Sequence, residues 1–127
     1  MRVGRVGEVG EERPVVLDAD GVAYALDAIT PDIDRSFFES GGLDRVRQSL
    51  DARELTPTDI EGLRWGSPVA EPGMLMCVGL NYRQHAIETG ATFPVEPILF
   101  MKSSRCVVGP NDPVIIPRGS TLSLIHI

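Results

Sequence analysis

The sequence predicts an α+β fold that is mostly β. Three observations carry this: a turn cluster between two apolar runs near the N-terminus, two short amphipathic stripes after it, and a series of short, dense apolar segments beyond residue 70. With 127 residues, 43% of them hydrophobic, the chain has room for one small domain and part of another. At this size roughly two thirds of the unfolded surface is expected to be buried.

Residues 15–17 are apolar, Asp18-Ala19-Asp20-Gly21 supplies the turn, and residues 22–26 resume the apolar pattern, so a β-hairpin is predicted here. Gly4, Gly7 and Gly10 fit neither G-x-G-x-x-G nor a Walker A loop and are read as turn residues. A first helix is expected to start at Pro31 or Asp32, to bury Phe37 and Phe38, and to stop at Gly41-Gly42. Leu43, Val46 and Leu50 recur at intervals of three and four and predict a second helix, with Arg45, Gln48 and Asp51 turned outward. Residues 55–73 contain Pro57, Pro68 and Pro72 with little periodicity, the pattern of a connector wrapped on a surface.

A boundary near residue 70 separates a small N-terminal domain, residues 1–70, from a second unit, residues 71–120. In the second, residues 74–80, 98–101, 107–108 and 114–116 are predicted as buried strands. Residues 109–113, Gly-Pro-Asn-Asp-Pro, fit a hairpin loop between the last two.

Charge narrows the function. A net charge of −6 and a pI near 4.8 argue against a nucleic-acid or anionic-membrane surface, which calls for clustered Lys and Arg. Cys77 and Cys106 match no redox or zinc spacing, so reduced thiols in a cytoplasmic protein are expected. The apolar runs are too short to span a bilayer, and residues 1–20 carry charges where a signal peptide needs an apolar core.

The stretch GLNYRQHAIETG, residues 79–90, closes an apolar strand-like run and opens a short helix carrying His85 and Glu88. Three helical positions apart, these side chains share a face with roughly 5–6 Å between Cβ atoms, close enough for a carboxylate to orient an imidazole. An imidazole titrates near neutral pH, which suits it to moving protons. Each residue also has a plainer reading: a surface histidine, an exposed helix charge, and, for Lys102, a solvated charge at a strand end. Asn81 is a candidate helix cap. Glu96 and Asp112 are the remaining acidic residues after Glu88 and do not make a metal site.

Taken in order, GLNYRQHAIETG, EPILFMKSS and GPNDPVIIPRGS resemble the start of the catalytic domain of the fumarylacetoacetate hydrolase family. The opening RVGRVGEVGEERPVVLDADG is similar to the small N-terminal domain of bacterial members labelled ureidoglycolate lyases or hydroxyheptadienedioate isomerases. The resemblance implies that residues 71–120 begin a mixed β-sandwich roll. It implies an enzyme acting on a 2-oxo acid or 1,3-diketo acid with Mg²⁺ or Mn²⁺, Ca²⁺ being a further candidate, and a homodimer for the intact protein. His85 and Glu88 would form the catalytic dyad that activates water, and Lys102 would face a substrate carboxylate or a developing oxyanion. Hydrolysis, decarboxylation, isomerisation and a lyase reaction all fit.

The family's metal ligands, two glutamates two positions apart and a later aspartate, have no counterpart up to residue 120, so no metal residue is assigned within the chain. The ending TLSLIHI offers no carboxylate, and residues 121–127 are expected to be a non-native tail on a truncated enzyme. Such a fragment should be inactive and aggregation-prone, through strands that lack partners. The alternative is a noncatalytic binding or interaction module.

Overall fold

The computed structural model describes residues 1–119. The predicted hairpin is present as β2 (Arg13–Leu17) and β3 (Ala23–Ala25), paired antiparallel with Leu17 opposite Ala23. Its turn is built by Asp18, whose Oδ1 accepts from the N–H groups of Asp20 and Val22, both at 2.9 Å, while Gly21 takes a φ of +86°.

A strand the pattern did not predict, β1 (Arg2–Val6), pairs antiparallel with β2 and completes a three-stranded sheet in the order β1-β2-β3. Gly4 is therefore a strand residue rather than a turn residue. Gly7 and Gly10, with positive φ, do lie in turns. The absent side chain at Gly4 has a packing reason: a Cβ there would lie 2.6 Å from a ring carbon of Trp65.

Two helices pack on this sheet. The first, α1 (Arg35–Glu39), starts later than expected. Asp34 is its N-cap, accepting from the Phe37 N–H at 2.8 Å, because Asp32 is turned away to Arg5. Phe37 is 1% exposed, but Phe38 remains 43% exposed, since a five-residue helix has one buried face. Gly41, left-handed at φ +72°, ends α1 as predicted and leads into α2 (Gly42–Asp51). On α2 the buried stripe is Gly42 and Val46 with Leu50 half-buried at its end. Leu43 falls on the solvent side, a correction to the predicted stripe. Val16, Leu26, Ile33, Phe37 and Val46 form the core, flanked by Val3, Tyr24, Ile29, Leu50 and Leu55.

The connector contains no helix or strand, as expected, yet it is not idle. Near residue 57 it bonds the outer edge of β3, through Ala25 N–H to Thr56 O and Thr58 N–H to Ala23 O. Near residue 65 it bonds the outer edge of β1, through Gly7 N–H to Arg64 O and Gly66 N–H to Arg5 O. One irregular segment thus covers both edges of the sheet, which would otherwise offer unpaired backbone groups to another chain.

Beyond it lie β4 (Leu75–Gly79), α3 (Arg83–Glu88), β5 (Ile98–Lys102) and a single 3₁₀ turn (Ser104–Cys106). β4 and β5 pair antiparallel with Leu75 opposite Lys102 and Gly79 opposite Ile98. Two expectations fail here. Residues 107–108 and 114–116 are not strands, and 109–113 is a turn closed by Asp112 N–H to Gly109 O rather than a hairpin loop. Nor are the two strands buried. Every residue of β5 is exposed, Leu99 by 60% and Met101 by 66%, because among the described residues no apolar layer covers this two-stranded sheet. The predicted tail, residues 121–127, lies outside the described residues.

Candidate functional site

His85 and Glu88 sit where the motif places them, on α3, which follows β4 after a three-residue bend. The bend is tight, and Leu80 takes a φ of +47° to make it. Tyr82, not Asn81, is the N-cap, and it gives no side-chain bond, so the predicted capping role of Asn81 is not met. Ala86 faces inward and is fully buried, which turns His85 and Glu88 outward to solvent. They share the helix face that a spacing of three implies. Glu88 accepts a long hydrogen bond from Gln84 Nε2, at 3.5 Å, one turn earlier. No hydrogen bond joins His85 to Glu88 among the described residues.

Lys102 ends β5, exposed, with its ammonium 6.0 Å from the centre of the Phe100 ring. The ladder places it at the end of the sheet opposite the one from which α3 departs. Helix α3 leaves from the Gly79 end of β4, whereas Lys102 pairs with Leu75 at the other end, four residues or roughly 13 Å away along the strand. The structure therefore carries His85 and Glu88 on one face of α3 and Lys102 on a different element, at the end of β5.

For a divalent cation the described residues do not provide a fit. No group of three His, Cys, Asp or Glu side chains converges among them. Asp112, the last carboxylate among the described residues, is already taken by a guanidinium. Cys77 and Cys106 are free thiols.

The most organised polar cluster was not foreseen. Arg64 donates to both oxygens of Asp112, at 2.7 and 2.5 Å, and to Glu12 Oε1 at 2.8 Å. Glu12 also approaches Arg5, at 3.5 Å, and Arg5 donates to both oxygens of Asp32, at 2.6 and 2.8 Å, and to the Ser67 carbonyl. These five side chains help line an open cleft of about 1040 Å³ between the N-terminal unit and residues 104–115.

Their ionisation follows from the pairing. The bond from Arg64, with help from the Gly109 N–H, holds the Asp112 carboxyl below the usual carboxylate range. Burial pushes the Glu12 carboxyl up, but the bonds from Arg64 and backbone N–H groups outweigh it, and the net direction is down. Asp32 raises Arg5, against the opposing effect of burial. One signal for this cluster was present in the sequence: an Arg-Trp-Gly triplet inside a Pro-punctuated connector marks a packed segment rather than a solvated one.

Residues 74–126 match the family model described as fumarylacetoacetate (FAA) hydrolase C-terminal. A protein of Burkholderia multivorans with a general hydrolase name is 40% identical over 120 residues, which are 94% of this chain and 42% of that protein. The 2,4-didehydro-3-deoxy-L-rhamnonate hydrolase of a Sphingomonas species is 37% identical over 122 residues, 95% of this chain and 40% of that protein. The chain thus spans about two fifths of the length of the curated relatives it matches. These likenesses support the fumarylacetoacetate hydrolase family.

Proposed function

We propose that the chain is the N-terminal part of a hydrolase of the fumarylacetoacetate hydrolase family that cleaves a carbon–carbon bond in a 2-oxo acid or 1,3-diketo acid. The observation that carries this reading is the β4–α3–β5 unit inside the family match, with His85 and Glu88 on one face of the helix that follows β4. The hydrolase name of the Sphingomonas relative adds to it. In this reading His85 takes a proton from water, Glu88 orients the imidazole, and the hydroxide attacks the carbonyl. The bond to the neighbouring carbon then breaks, leaving a carboxylic acid and an enolate that takes up a proton. Lys102, opposite the start of β4 and so roughly 13 Å along the ladder from the strand end that leads to α3, serves the far carboxylate of the substrate rather than the reacting carbon. Mg²⁺ or Mn²⁺ would act as a Lewis acid on the substrate oxygens, but the described residues do not supply a donor set to hold it.

The test is to express the complete coding region that contains this chain and to follow acid release from 2-oxo and 1,3-diketo acids with Mg²⁺ present. His85→Asn should lower kcat by about 10²–10⁴-fold. A wild-type protein inert toward every such acid would instead favour the binding-module reading, to which the solvent exposure of His85, Glu88 and Lys102 lends some support.

A further inference from the structure

We propose that Arg64 is a latch that fixes the segment 103–112 on the N-terminal unit, and so positions the residues that directly follow Lys102. The segment is held at both ends. At its start, the β4–β5 ladder runs to Lys102, and Ser103 caps the 3₁₀ turn by accepting from the Arg105 N–H at 3.2 Å. At its end, the Asp112 carboxylate takes both arms of Arg64 and also accepts from the Gly109 N–H at 2.7 Å, which closes the turn on itself.

Arg64 is in turn fixed from the other side. Its Nη1 donates to Glu12 and to the Gly7 carbonyl, and its own carbonyl accepts from Gly7 N–H in the contact that extends β1. A second contact works beside this one. Gly109 is buried against the carbonyl of Trp65, so closely that any Cβ would overlap it, and Val108 and Pro110 line a small apolar hollow with the Trp65 ring. An ion pair and a steric fit at adjacent residues, 64 and 65, therefore grip the same turn.

The role given to Lys102 rests on the proposed function, whereas the latch does not, so the two fail separately. Trp65 is the only tryptophan of the chain and reports directly on this contact. The experiment compares wild type with Asp112→Asn, Arg64→Lys and Gly109→Ala by tryptophan emission, and by hydrogen exchange of peptides covering 103–112 and 13–17. All three variants should shift emission to the red and speed exchange of 103–112 by about tenfold, with 13–17 unchanged. Arg64→Lys belongs with the disruptive variants because an ammonium cannot bridge two carboxylates with a planar fork. Acceleration at the amides of 105–107, which do not touch Arg64, is the sign of positioning that a purely local contact would not give.

Unchanged emission and exchange in Asp112→Asn and Gly109→Ala would overturn the latch. So would loss of protection at 13–17 together with 103–112, since the segment would then be an inseparable part of the core. Activity of the complete protein does not enter either outcome.

Discussion

Phe37 and Phe38 are adjacent, chemically identical and differ in almost everything that matters for stability. Phe37 fills the core between the sheet and α2, while Phe38 meets its neighbour edge-on at 5.2 Å and stays partly in solvent. Phe37→Ala should cost about 3–5 kcal/mol and Phe38→Ala well under half of that, compared by urea denaturation followed by circular dichroism. The two could not be told apart in the sequence because the choice depends on where α1 begins, and that depends on Asp32. A carboxylate two residues before the true cap looked equally suited to capping, and only the tertiary pull of Arg5 removes it. Asp34→Ala should lower stability by about 0.5–2 kcal/mol in the same assay, with Phe37 losing its N–H partner. For the candidate catalytic residues the motif fixed the element and the face, and nothing in a spacing of three could reveal that Gln84 competes for Glu88.

At the scale of elements, what was legible followed from local chemistry. The Asp18–Gly21 turn, the Gly41 helix stop, α3, β4 and β5 all rest on residues whose dihedral or periodic preferences act within a few positions. β1 was hidden because its RVGRV pattern is interrupted by two arginines and by a glycine that reads as a breaker; the glycine is there to admit a tryptophan 61 residues away. The strands expected at 107–108 and 114–116 failed for a related reason. Their apolar residues satisfy the strand pattern, but the Gly109–Asp112 turn is committed to Arg64 and Trp65, and this directs the chain along the N-terminal unit instead of back along β5. Gly42→Ala is expected to be far more damaging than its propensity gain suggests, because the added Cβ would collide with the Phe37 ring and carbonyl. Loss of α1–α2 ellipticity together with a lower unfolding midpoint would show it, and an unchanged midpoint would contradict the packing described.

For the whole molecule, the charge cluster sets a pH dependence. Asp112 and Glu12 both have folded-state affinities for protons below their ordinary values, so the folded state gains from their ionisation. The groups facing them are Arg64, Arg5 and backbone N–H groups, none of which titrates in this range. Their contribution is present in full above the unfolded carboxylate range, about pH 4, and is lost as the pH falls through the lowered folded values. Urea midpoints should therefore be flat from pH 7 to about 5 and fall below about 4, with tryptophan emission shifting over the same interval. A midpoint that rises on acidification would reverse the sign assigned to the cluster.

The location of the core has a consequence in time. All five core residues, and all five that flank them, lie before residue 56, and the segment that covers the sheet edges ends before β4 begins. A ribosome making this chain thus releases a unit able to fold ahead of β4. Arg64 meets Glu12 at once, but its second carboxylate lies 48 residues downstream, roughly 2–10 s later at about 5–20 residues per second. During that interval the guanidinium stands as a half-filled docking point at the rim of a finished domain, waiting for the turn that will steer the emerging β4–β5 sheet toward it.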